Sequence, residues 1–213
     1  PEDRGVLGEL VFAATSAGFL LGVGAPIGYA LQRSPAWRLL QTAALVLIGV
    51  GIALYLLDVI RIYRARRRRQ IELHNRAALG AFATLTLLLP ATVLWRAGVL
   101  HGAPLVVVLA LAGWLSGLGL TQLYKIVPFL AWLVHYGRRL GSGTVPRVQD
   151  LVRERRAAPA FMLFFGGVAL LAVGALLASA WPFRSGAALC LLATLLLSRE
   201  YWRSWRAYYA AGS

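Results

Sequence analysis

The chain alternates between long apolar runs and short basic segments. Six runs are long enough to cross a bilayer, because about 20 helical residues span roughly 30 Å of hydrocarbon. The runs are continuous and do not alternate residue by residue, which favours helices over the strands of a closed barrel. The predicted helices cover approximately residues 6–31, 39–62, 77–100, 104–125, 160–180 and 186–208. The sequence therefore predicts an all-α, polytopic transmembrane helix bundle, taken as a single domain over residues 1–213.

The fourth apolar run, which begins at Pro104 and reaches Tyr136, is too long for one perpendicular crossing. We expect Pro128 to break the helix and the aromatic residues after it to lie at the headgroup level. Lys125 would then emerge at the cytoplasmic surface, where its ammonium group reaches water. The alternative keeps Lys125 inside the bundle as a proton or ion relay. A charged side chain in hydrocarbon costs free energy, so a lysine at that depth would indicate a function.

Residues 126–157 form an interfacial segment in this interpretation. Its second half predicts a short amphipathic helix, with Thr144 as the cap and Pro146 in the first turn. Apolar side chains share one face of that helix and arginines the other, as in helices that lie on a membrane surface. The helix would be a membrane anchor or, alternatively, a docking face for a partner subunit.

Composition agrees with a membrane protein. The 213 residues are 59% hydrophobic and their mean hydropathy is +0.68, well above an ordinary soluble domain. The formal net charge of +14 would suggest nucleic acid as the partner of a soluble protein. Here the basic residues lie between the apolar runs and not in one patch, so we expect no nucleic-acid partner.

The basic residues also predict the orientation, because loops rich in Lys and Arg stay on the cytoplasmic side. With six crossings, 17 of the 22 basic residues fall on one side and four on the other. Both termini then face the cytoplasm of a bacterial inner membrane. The residues that carry this signal, and that we expect to contact anionic lipids, are Arg66, Arg67, Arg68, Arg69, Arg153, Arg155 and Arg156.

Candidate chemistry is sparse. Haem or metal binding in the membrane needs histidines at bilayer depth, whereas His74 falls in a basic loop, His101 at an outer helix end and His135 in the interfacial segment. We expect all three to be solvated or at the headgroup level, and we expect no metal site. A single cysteine, Cys190, excludes an internal disulfide and any multi-cysteine metal site.

Two acidic residues, Glu9 and Asp58, lie near opposite helix ends and are candidates for a proton path. The simpler interpretation pairs Asp58 with Arg61 on the next turn. No nucleophile with a base, phosphate-binding loop or pair of carboxylates stands at a useful spacing. We therefore expect no intrinsic catalysis by this chain alone.

Small residues recur at four-residue spacing within the apolar runs. Such spacing lets the backbones of neighbouring helices approach closely. The pairs are Gly18 with Gly22, Gly24 with Gly28, and Gly113 with Gly117.

Two stretches carry a resemblance to a known family. Residues 123–151 read LYKIVPFLAWLVHYGRRLGSGTVPRVQDL, and residues 64–78 read RARRRRQIELHNRAA. Both resemble segments of bacterial membrane proteins related to haem-copper oxidase subunit I. The resemblance implies an oxidase-like helical fold and the carboxy-terminal portion of a longer chain, whose histidine-bearing helices would precede Pro1. Haem would then need ligands from outside this chain, because no position here supplies them.

The functional hypothesis is a membrane-embedded subunit, oxidase-like in fold, with a structural or accessory role in a respiratory or other redox complex. Its partners would be other membrane subunits and membrane lipids. The alternative is a small-molecule or ion permease in which Lys125 and kinked helices line the path.

Overall fold

A computed structural model describes residues 2–31, 35–65, 72–100, 102–136 and 154–210. Every regular element in these ranges is a helix, which confirms the predicted fold class. The elements are α1 (Glu2–Leu31), α2 (Pro35–Arg64), α3 (Leu73–Arg96), α4 (Pro104–Val107), a π-helical segment (Val108–Ser116), α5 (Gly117–Tyr136), α6 (Glu154–Leu176) and α7 (Ala180–Ala210). Because α4, the π segment and α5 follow one another without a gap, the described residues form six long helices.

Five of these helices are long and apolar enough to cross a membrane. They are α2, α3, the helix that runs from α4 through α5, α6 and α7. In α1 the apolar stretch among the described side chains is shorter, Gly8–Gly22. The fold is therefore a helical bundle of the kind that spans membranes.

The chain divides into two compact units, Pro1–Arg69 and Gln70–Ser213. Unit 1 is a hairpin of α1 and α2, and glycines hold its helices close together. A Cβ added at Gly18 would lie 2.6 Å from Cγ1 of Ile48, and one at Gly51 would lie 2.5 Å from Cγ2 of Thr15. The predicted role of Gly18 is confirmed. Among the described residues no atom lies within 4 Å of a Cβ added at Gly24, so the predicted close packing is not seen there.

Unit 2 packs α3, α5, α6 and α7 around a core of small and aromatic side chains. The most extensive contact in unit 2 is between α6 and α7, and both helices contribute glycines to it. A Cβ at Gly167 would lie 2.8 Å from Sγ of Cys190, and one at Gly174 would lie 2.5 Å from the backbone nitrogen of Phe183. Cys190 packs here as a small apolar side chain, with Sγ 3.5 Å from the carbonyl oxygen of Phe164.

The π segment widens the helix where it passes α3 and α6. A Cβ at Gly113 would lie 2.6 Å from Cβ of Thr84, and one at Gly117 would lie 2.9 Å from the ring of Phe165. The predicted close approach at Gly113 and Gly117 is confirmed. The sequence did not predict the π geometry. A π turn holds one more residue than an α-helical turn, but the sequence of this segment resembles that of any other apolar helix.

The predicted break at Pro128 is wrong. Helix α5 continues past Lys125 and Pro128 to Tyr136, so residues 126–136 belong to it. The proline ring is fully buried, and a missing N–H removes one backbone hydrogen bond without ending a helix that is packed on its neighbours. At the other end of the predicted interfacial segment, Glu154 already begins α6. The predicted amphipathic helix lies mainly outside the described residues.

Candidate functional site

Polar and aromatic side chains meet at one end of unit 2, where α3 and α6 begin and α5 and α7 pass by. The buried cluster there consists of Leu73, Tyr124, Ala157, Ala160, Phe161 and Leu197. Tyr201 packs against it, and three carboxylates lie around it, those of Glu72, Glu154 and Glu200. We call this set, with His74, the polar cluster.

Two tyrosines from different helices lie at the centre of the polar cluster. The ring of Tyr124 meets that of Phe161 edge to face, with centroids 5.7 Å apart, and the Tyr201 ring at 6.4 Å. The Tyr201 hydroxyl donates a hydrogen bond to the carbonyl oxygen of Leu120 at 2.7 Å. Three helices, α5, α6 and α7, are thereby joined at one level.

The Tyr124 hydroxyl is different from that of Tyr201. Its oxygen is buried and has no hydrogen-bond partner among the described residues, and the whole side chain is only 6% exposed. The carboxylates of Glu154 and Glu200 are close enough to interact with this phenol electrostatically. A buried hydroxyl without a partner costs about 1–3 kcal/mol, so this group weakens the cluster as it stands.

The carboxylates of Glu154 and Glu200 in the polar cluster make different contacts. Glu154, in the first turn of α6, accepts a hydrogen bond from the backbone N–H of Leu73 at 3.3 Å, which ties α6 to the start of α3. Glu200 pairs with Arg203 at 2.9 Å on α7. A carboxylate is favourable at a helix amino terminus, where it also satisfies a free N–H group. The contact of Glu154 joins two helices, whereas the pair of Glu200 and Arg203 lies within α7.

His74 corrects a prediction. It lies in the first turn of α3 and is 6% exposed, whereas the sequence predicted a solvated loop residue. Its Nδ1 is 3.4 Å from Oε2 of Glu72. The helix begins at Leu73, several residues before the predicted start, because packing against α6 stabilises a turn that the basic sequence alone does not favour.

The predicted site residues lie on three helices, α1, α2 and α5. Lys125 is exposed and Pro128 is buried, and the role of Lys125 as a relay stays a prediction. His135 lies in the last turns of α5. Glu9 is exposed and Asp58 half-buried, and no salt bridge joins Asp58 to Arg61 within the described part of the chain.

The basic residues are described only in part. Arg155 and Arg156 are exposed in the first turns of α6, not in a separate interfacial helix as predicted. Those outside the described residues are Arg66, Arg67, Arg68, Arg69 and Arg153. His101 also lies outside them.

No group of three or more metal-ligating side chains occurs among the residues that the structure describes. The comparisons with known proteins give no further guidance, because no protein-family model, curated protein or solved structure matches the chain. The resemblance to haem-copper oxidase subunit I therefore stays a prediction from the two quoted stretches.

Proposed function

We propose that this chain is a membrane-embedded subunit that packs against other membrane proteins and positions them, without catalysis of its own. The observation that supports this best is the closed interior of unit 2. Helices that touch through Gly113, Gly167 and Gly174 leave little more than van der Waals separation between their backbones. Such contacts make a rigid scaffold.

The polar cluster supports the same proposal. Glu154 accepts from the backbone of Leu73, and Tyr201 donates to the backbone of Leu120, so these groups fasten one helix to the next. A transport path would instead need polar groups facing a route through the bundle. Lys125, the residue on which the permease alternative depended, is exposed, so the structure offers that alternative no support.

In its finer form the proposal places the chain in a respiratory or other redox complex of the bacterial inner membrane. Both termini and the basic loops face the cytoplasm and contact anionic lipids, and any haem takes its ligands from other chains. The resemblance of residues 64–78 and 123–151 to haem-copper oxidase subunit I supports this form.

Native membranes provide the test. The tagged chain, extracted in a mild detergent and run on a native gel, is expected in an assembly much larger than the 23.1 kDa chain with its detergent belt. The finer form also expects haem absorption in that assembly and none in the chain alone. Free chain as the sole species would overturn the accessory role. An assembly without haem would overturn the redox form only, and solute uptake by the purified chain in proteoliposomes would favour the permease.

A further inference from the structure

Helix α7 has two opposite faces. One face packs into unit 2 through Gly186, Ala193 and Leu197, which are all buried. The other face is exposed along its whole length, and its residues follow one another at spacings of three and four, which places them in one stripe of the helix. The stripe consists of Trp181, Arg184, Ala188, Leu192, Leu195, Arg199, Trp202 and Arg206.

Along the stripe, the residue types follow the order expected of a helix that crosses a membrane. Tryptophan and arginine lie at each end, and apolar residues lie between them. Trp181 and Trp202 are separated by 21 positions of continuous helix, which is about 31 Å at 1.5 Å per residue. That length matches the hydrocarbon thickness of a bilayer, at whose two boundaries tryptophans concentrate. Arg199 therefore lies just inside the boundary at Trp202, where its long stem reaches the headgroups.

Two guanidinium groups at the Trp202 end have no carboxylate partner among the described residues. Glu200 pairs with the neighbouring Arg203, whereas neither Arg199 nor Arg206 is within salt-bridge distance of a carboxylate in the described residues. The guanidinium carbon of Arg206 lies 5.1 Å from the centre of the Trp202 ring. Stacking on the indole restricts this side chain and holds its charge on the same face as Arg199.

We propose that Arg199, Trp202 and Arg206 bind the headgroup of an anionic phospholipid whose acyl chains lie along Leu192 and Leu195. Guanidinium groups bind phosphate oxygens through paired, charge-assisted hydrogen bonds, which are stronger than neutral ones. Leu195 is one helical turn from Arg199 and 59% exposed, so acyl chain and headgroup are contacted along one continuous strip. The site favours a lipid with a net negative charge, because two arginines without a carboxylate partner in the described part of the chain lie at one end of the strip.

This site is independent of the accessory role, since it needs only that α7 crosses the membrane. The matched control is Arg76, an exposed arginine in the first turns of α3, next to the polar cluster at the same end of unit 2. Replacing Arg76 removes one positive charge from that end of the unit without touching α7. Arg184 is a second control, because it lies on the same stripe at the opposite end.

Native mass spectrometry of the full chain tests the proposal, with phosphatidylglycerol and phosphatidylcholine added in turn. The most tightly bound phosphatidylglycerol of the unaltered chain is expected to be preferred roughly tenfold over phosphatidylcholine, above the weaker lipid contacts of the basic loops. The variant R199Q/R206Q should lose this tightest phosphatidylglycerol, and R76Q and R184Q should keep it. Unchanged helical circular dichroism shows that each variant folds.

Three outcomes would overturn the proposal. They are an unaltered chain without a preference for phosphatidylglycerol, a preference in R199Q/R206Q equal to that of the unaltered chain, and a loss in R76Q as large as that in the double variant. If R199Q/R206Q instead dissociates a protein assembly while its lipid preference stays intact, the stripe is a protein interface and the lipid site is wrong.

Discussion

The Tyr201 hydroxyl lies 2.7 Å from the carbonyl oxygen of Leu120 and donates a hydrogen bond that joins α7 to α5. The two residues are 81 positions apart in sequence. Because Leu120 is itself in a helix, its carbonyl accepts a second hydrogen bond here in addition to its backbone one. The bond therefore adds a specific contact between helices without being needed to satisfy the backbone.

Replacing Tyr201 by phenylalanine tests the value of this contact. The ring stays and only the hydroxyl is lost, so Tyr201→Phe is expected to destabilise unit 2 by about 0.5–1.5 kcal/mol. The measurement is the thermal unfolding midpoint of the purified chain in detergent. A midpoint equal to that of the unaltered chain would mean that the bond contributes nothing.

Tyr124 gives the opposite expectation in the same assay. Its hydroxyl is buried and has no partner among the described residues, so Tyr124→Phe removes a group that costs free energy. We expect unchanged or higher stability, by up to about 1 kcal/mol. Destabilisation as large as that of Tyr201→Phe would show that a bound water or ligand satisfies this hydroxyl in the membrane.

The Tyr124 position illustrates what the sequence could and could not predict. The buried face of α5 follows a spacing of four and three, and its members are Gly117, Thr121, Tyr124, Pro128 and Ala131. This spacing is present in the sequence, and it places Tyr124 inside the bundle and continues the helix through Pro128. The expected break at Pro128 follows from the rule that proline ends helices, which is weaker where neighbouring helices hold the chain in place.

Other features were not readable from the sequence. The burial of His74 depends on the contact of Leu73 with Glu154, which are 81 positions apart. The division into two units likewise follows from packing across many residues. By contrast, the long apolar helices follow directly from the length of the apolar runs, which is why most of them were predicted nearly in place.

Two adjacent glycines in α6 provide a matched pair. A Cβ at Gly167 would lie 2.8–2.9 Å from Cys190 and from the carbonyl oxygen of Gly186, whereas a Cβ at Gly166 would meet nothing within 4 Å. Gly167→Ala should destabilise unit 2 by about 1–3 kcal/mol, because the backbone of α7 must move away. Gly166→Ala should be neutral or stabilise it by up to about 1 kcal/mol through helix propensity.

Thermal unfolding of the two alanine variants, side by side, checks this prediction. Because the substitutions are chemically identical and one residue apart, any general effect of alanine on α6 is shared. Equal midpoints for both variants would contradict the close approach of α6 and α7 at Gly167.

Orientation can be tested by cysteine labelling, since the chain has one cysteine and Cys190→Ser removes it. The distribution of basic residues predicts that Arg68→Cys and Arg155→Cys lie on the cytoplasmic side and His101→Cys on the other. In intact spheroplasts a membrane-impermeant maleimide should then label His101→Cys alone, and the first two should react only after lysis. Labelling of Arg68→Cys and Arg155→Cys from opposite sides would be incompatible with an even number of crossings between them, and the proposed topology would fall with it.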